Sequence, residues 1–269
     1  MTAPSTPVAE RPGFAPWLTL VFGVLATLMW AGFAHSERVR AEQTRLRDAA
    51  THLSHGIVER LGAYEQALKG SAAVLGQSGA DDLREWRRFV ASLRLGDTYP
   101  GLLGIGFHQR VPSSELPKVV ARMRAIEPSF EVKPPGARDV YFPFVAFEPD
   151  IGTRYALGTD AWASPERREA MERAARLGAP AYSAGVRLAS DREPDAPLAF
   201  NMYAAVRAEG PGESDGAGAL LGFIVSPFRI PAFVEGVLGR VENVRVRLFV
   251  TADGREVVAY DSRPSAAPD

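Results

Sequence analysis

The stretch Gly158–Leu188, GTDAWASPERREAMERAARLGAPAYSAGVRL, decides the fold, because it joins a lone carboxylate, a capped helix and an alternating strand in one unit. Ser164 is a good N-cap, Pro165 suits the first helical position, and Glu166 complements the positive end of the helix dipole. Gly178 and Pro180 stop the helix. Between these limits Ala170, Met171, Ala174 and Ala175 form an apolar stripe, while Glu169/Arg173 and Glu172/Arg176 are four-apart pairs of opposite charge on the wet side. After the stop, Tyr182, Ala184, Val186 and Leu188 alternate with Ser183, Gly185 and Arg187, the period-two pattern of a strand. Helix and strand read as the wall of a pocket. Asp160 sits just before the helix, where an aspartate routinely bonds backbone amides.

Outward from this unit, a helix over Asp82–Leu95 carries Trp86, Phe89, Val90 and Leu93, and a strand follows at Leu102–Arg110. Ser114 is placed to cap a helix whose buried stripe is Leu116, Val119, Val120, Met123 and Ile126. Further strands are expected at Phe130–Lys133, Val140–Phe147 and Leu198–Val206. Strands with intervening helices define an α+β class, an antiparallel sheet covered on one side by helices. The polar run RAEGPGESDGAG, Arg207–Gly218, reads as a join to a second unit. That unit offers a strand at Ala219–Val225, a helix near Pro227–Leu238, and a hairpin whose runs, Val244–Val250 and Glu256–Tyr260, are turned by Asp253-Gly254.

The Gly158–Leu188 segment, with YPGLLGIGF at Tyr99–Phe107 before it and GFIVSPFRIPAFVEGVL at Gly222–Leu238 after it, resembles the CHASE domain, the extracytoplasmic sensor of many membrane receptors. The resemblance spans roughly Tyr99 to Asp261. It implies PAS-like units in tandem: a membrane-distal sensor unit over 82–206 and a membrane-proximal unit over 219–269. The second is incomplete, with three strands where the family has five, so an exposed sheet edge is expected and the chain reads as the front end of a receptor, a truncated form or a fragmented gene product. In the family, an aspartate at the position of Asp160 hydrogen-bonds the ligand of the plant cytokinin receptors, and a hydroxyl residue at the position of Ser183 lies in the same cavity; here that residue is Ser rather than Thr. An ionised Asp160 accepts hydrogen bonds only, so a ligand it held would present N–H or O–H donors. Tyr141, Phe142 and Phe144 could add an apolar lining, although such aromatics ordinarily belong to a core. Asp160→Ala or Ser183→Ala is expected to weaken a ligand and leave the fold intact.

No charged side chain falls between Pro12 and Ala34, and Phe14–Ala34, FAPWLTLVFGVLATLMWAGFA, is long enough to cross a bilayer, for which about 20 apolar residues suffice. Trp17 and Trp30 lie near its ends, as interfacial aromatics do. A cleaved signal peptide is the competing reading, with Gly32 and Ala34 as small residues at a cleavage site; the length of the run favours a retained anchor. Arg38, Arg40, Arg45 and Arg47 follow the span and only Arg11 precedes it, which by the positive-inside rule favours the opposite topology. The resemblance instead implies a cytoplasmic tail at 1–13, a single crossing of the inner (cytoplasmic) membrane at 14–34, and a periplasmic or extracellular sensor. Val39, Leu46, Ala50, Leu53, Ile57, Leu61, Tyr64 and Leu68 then mark an amphipathic helix. Over 36–71 it would form a stalk about 50 Å long, part of its seam packing on the sensor unit and part suited to pairing with a second copy in a homodimer.

Composition bounds the chemistry. At 269 residues and 46% apolar content the chain can build one or two cores. A net charge of −1 gives no electrostatic case for nucleic acid as a partner, and the lack of cysteine removes disulfides and cysteine-held zinc. His52 and His55, with Glu59 one turn on, are two metal-type ligands without a convergent third, so a polar helix face is the better reading and no metal or cofactor is expected. No phosphate-binding G-x-x-x-x-G-K-[ST] loop or HExxH is present. Gly104-Ile105-Gly106 is a GxG within a strand pattern, and His108 beside it reads as a structural or surface histidine. The expected function is a membrane-anchored sensor module without catalytic residues, binding a small molecule and relaying to a cytoplasmic output such as a histidine kinase or diguanylate cyclase. The alternative is a ligand-free dimerisation or docking module.

Overall fold

The computed structural model describes residues 15–150, 156–188, 191, 196–209, 218–238, 245–252 and 254–262. The chain divides into two compact units, Met1–His52 and Leu53–Asp269. Helix α1 (Ala15–Ser78) covers both the expected span and the expected stalk. In the N-terminal unit, the window Leu20–Glu37 has a mean hydropathy of 1.3 and none of it is buried, so Phe22, Met29 and Trp30 present their side chains outward. One helix of this length and apolarity can cross a bilayer. The expected tail, Arg11 and Phe14 lie outside the described residues.

The C-terminal unit continues from α1 through α2 (Arg84–Ser92), α3 (Leu95–Thr98), β1 (Ile105–Gln109), β2 (Val111–Pro112), α4 (Leu116–Arg124), β3 (Val140–Tyr141) and β4 (Phe144–Glu148). It then runs through α5 (Pro165–Leu177), β5 (Ala181–Tyr182), β6 (Ala199–Arg207), β7 (Leu220–Arg229), α6 (Ile230–Leu238), β8 (Arg247–Ala252) and β9 (Arg255–Asp261). Five strands form one antiparallel sheet in the order β4-β1-β7-β6-β5. Strand alternation divides its side chains between two cores. Phe107, Met202, Ala204 and Ile224 pack with Tyr64, Leu68 and Leu75 of α1, whereas Tyr203, Phe223 and Val225 pack with Ala170, Met171 and Ala174 of α5.

The sheet is therefore covered on both faces, not on one as the sequence led us to expect. The reason lies in α1, whose Tyr64, Leu68, Ser71, Ala72 and Leu75 recur on one helical face and are all buried. Tyr64 stacks on Phe228 at 5.2 Å between ring centroids, and its hydroxyl donates to the Pro100 carbonyl at 2.7 Å. Ser71 Oγ takes the indole N–H of Trp86 at 2.7 Å, tying α2 to the same face.

A larger correction concerns β7, the strand that sequence reading placed in a second unit. It pairs with β1 through Gly106↔Val225 and with β6 through Tyr203↔Val225, and so is the middle strand of the main sheet. Phe223, Ile224 and Val225 are each buried, and a continuous apolar run of this kind needs cover on both of its faces. Beside the polar run that read as a domain join, the Ala208 N–H donates to the Ala219 carbonyl at 2.9 Å, so its ends belong to one hairpin; residues 210–217 lie outside the described ones.

Smaller differences have local causes. The strand expected at Phe130–Lys133 is a single bridge, Lys133↔Thr159. The one expected at Val140–Phe147 is split at Phe142-Pro143, with β3 pairing to β2 and β4 to β1, since proline brings no N–H to a ladder. A 3-10 turn over Ser113–Glu115 precedes α4, so Ser114 is not its cap, and α4 ends early enough to leave Ile126 exposed. The hairpin β8–β9 forms as expected, with Val250 opposite Val257; Val244 and Asp253 lie outside the described residues.

Candidate functional site

The helix start is built as its residues dictate. Ser164 Oγ accepts from the Arg167 N–H, Gly178 closes α5 at φ +61°, and Glu169 pairs with Arg173 at 2.6 Å. Glu172 and Arg176 form no ion pair among the described residues. Just upstream, Asp160 caps the 3-10 turn Ala161–Ala163. Its backbone is fixed on both sides, its N–H donating to Lys133 O at 2.7 Å and the next N–H, of Ala161, to Phe142 O at 3.2 Å.

The Asp160 carboxylate is sealed and occupied. Oδ1 accepts from the N–H groups of Phe142 at 2.9 Å and Trp162 at 3.1 Å, and Oδ2 accepts from Arg138 Nη1 at 3.1 Å. The side chain is 0% exposed. A buried carboxylate is stable only with partners of this kind, so the chain itself supplies the donors that a ligand was expected to bring.

Ser183 is likewise spoken for. Its Oγ accepts from the Asn201 N–H at 3.0 Å and donates to the Ala184 carbonyl at 2.8 Å. This explains why the strand expected at Tyr182–Leu188 ends at Tyr182, with one further bridge at Val186↔Ala199: the hydroxyl stands in for the ladder at residue 183. No hydrogen bond joins Ser183 to Asp160. Tyr141 gives its hydroxyl to the Gly136 carbonyl and lines a separate hollow of about 210 Å³, and Phe144 is core, packed between His108 and Phe147. Tyr141 and Phe144 therefore line no common hollow with Asp160.

What does converge is a cavity of about 1030 Å³ at the N-terminal end of α5, bounded by Asp160, Ala163, Glu166 and Arg167 on one side, Gly185–Arg187 on another, and Arg255 with Val257–Ala259 of β9 on a third. Ligand sites commonly fall in the range of about 300–1,000 Å³. Arg167 was missed at the sequence level although a signal existed, because an arginine in the first turn of a helix opposes the dipole. Beneath α5, His108 is buried, and burial away from water pushes its pKa down to about 3, against the stabilising effect of its bond to Phe142 O. Its Nδ1 therefore carries the hydrogen donated to that carbonyl at 2.9 Å. Tyr203 beside it is pushed up to about 12, again chiefly by burial. Both are neutral core groups. His52, His55 and Glu59 are exposed, and no cluster of metal-type ligands occurs among the described residues.

Residues 80–260 match the family model of the CHASE domain, and the chain belongs to that family, which provides sensor modules of membrane receptors. No curated protein sequence matches the chain.

Proposed function

We propose that the chain is a membrane-anchored sensor that holds a small molecule in the cavity at the start of α5 and passes the occupied state to an output domain outside these residues. It has no catalytic role of its own. The apolar helix crosses the inner membrane, the C-terminal unit lies on the outer side, and the β8–β9 hairpin with α6 represents the membrane-proximal PAS-like element. The observation that carries this reading is the cavity itself, walled on three sides by different elements, so that a ligand touching both α5 and β9 would favour one arrangement of the two over another.

A second reading rests on a different observation. The space between α5 and the sheet, where the resemblance led us to expect a ligand, is filled by Phe142, Phe144, Tyr203 and Phe223, as a ligand-free dimerisation module would require. A thermal-shift screen of metabolites on the full chain in lipid nanodiscs separates the two. Sensing requires a compound that raises the melting temperature in the wild type and fails to do so in Ala163→Trp, which puts an indole into the cavity wall. The sensing reading is lost if no compound acts while sedimentation reports a dimer through α1.

A further inference from the structure

Three guanidinium groups, those of Arg167, Arg187 and Arg255, belong to residues that line the cavity, against two carboxylates. One of the two, Asp160, is closed off and neutralised by Arg138, which is not part of the wall. The other, Glu166, is ionised and turned back on its own helix start, where its backbone N–H and the Ser164 hydroxyl hold its pKa below the usual range. Arg167 spends one N–H on the Arg187 carbonyl at 3.3 Å and Arg187 one on the Ala196 carbonyl at 3.2 Å; neither they nor Arg255 pairs with a carboxylate among the described residues. Val186, Leu198 and Val257 give the wall an apolar part, beside the hydroxyl residues Thr159 and Ser164.

We propose that this cavity takes a small organic acid, its carboxylate held by Arg167 and Arg187 and its apolar body lying against Val186 and Val257. Resting on the sensing reading above, the proposal names the ligand class, and it reverses the polarity that Asp160 alone implied. An arginine fork matches a carboxylate in plane and binds it through two parallel N–H bonds. The guanidinium of Arg167 also has reason to seek an anion. It sits at the positive end of α5, and its charge opposes protonation of His108 deeper in the unit.

The test uses the full chain in nanodiscs with benzoate and hexanoate as probes, and benzamide, hexanamide and benzylamine as their neutral and cationic counterparts. Calorimetry gives affinities and intrinsic tryptophan fluorescence gives melting temperatures. At least one carboxylate should bind tenfold or more tightly than its amide. Arg167→Gln and Arg187→Gln should each remove most of that tenfold preference, and Arg167→Lys should restore part of it. A melting curve without probe establishes that each variant is folded. The proposal is overturned if amide or amine binds as well as the acid, if both glutamine variants keep the preference, if Ala163→Trp leaves carboxylate binding intact, or if no acid binds. Binding of amide or amine that Ala163→Trp abolishes would leave a sensing cavity in place and remove only its anion preference.

Discussion

Asp160 and His108 grip the two polar ends of one residue, Phe142: Asp160 Oδ1 takes its N–H at 2.9 Å and His108 Nδ1 donates to its carbonyl at 2.9 Å. The segment between β3 and β4 is thus fixed by two buried side chains in addition to the isolated bridge Pro143↔Asp160. Asp160→Ala is therefore expected to weaken the fold as well as any ligand site. Removing the carboxylate strips the Phe142 and Trp162 N–H groups of their acceptor and should destabilise the unit by about 2–4 kcal/mol. Asp160→Asn, which keeps an acceptor at Oδ1, should cost less than half as much. Urea denaturation of the two variants decides it; equal losses would mean that the charge pairing with Arg138 dominates.

Gly158 sets the chain direction that delivers Asp160 to this position. Its φ is +85°, and a Cβ there would stand 1.9 Å from the Glu131 carbonyl oxygen. Gly158→Ala therefore combines a disfavoured backbone with a clash against main chain, and a loss of at least about 2 kcal/mol is expected. Ala at Gly254, which also has positive φ but meets nothing within 4 Å, is the control and should cost about 1 kcal/mol. Thermal melts of both variants check the difference.

Burial of His108 makes stability depend on pH. Its folded pKa, about 3, lies below the ordinary 6.5, so between those values the unfolded chain binds a proton that the folded chain refuses. Stability is therefore complete above pH 6.5 and falls as the pH drops through that window. Between pH 7 and pH 5 the wild type should lose about 2 kcal/mol more than His108→Gln. Parallel stability curves for the two proteins would show that the imidazole does not titrate in this way.

How much of this was legible in the sequence depended on how local the physics was. Helix α5 could be read directly, because Ser164, the stripe at Ala170, Met171 and Ala174, and Gly178 all act within a few residues of one another. The place of β7 could not, since its partners at Gly106 and Tyr203 are chosen by the sheet and not by its own pattern. Tyr182–Leu188 alternated like a strand, but the Ser183 hydroxyl took a backbone N–H and broke the ladder. Asp160 was correctly located before a helix, and the amide-capping account of it was the one the residues themselves favoured. Its arginine partner lies twenty-two residues upstream at Arg138, a distance at which nothing in the sequence links them.

The orientation of the C-terminal unit is open to a direct chemical test, because the chain contains no cysteine and any cysteine introduced is unique. Glu172 is exposed on α5 and makes no ion pair among the described residues, so Glu172→Cys should leave the fold undisturbed. With this unit outside the cytoplasm, a membrane-impermeant maleimide should label Glu172→Cys nearly completely in intact spheroplasts, with no increase on lysis. The arginines that follow the apolar window favour the opposite outcome, labelling only after lysis. That result would place the cavity on the cytoplasmic side, and its ligand would then be an intracellular metabolite.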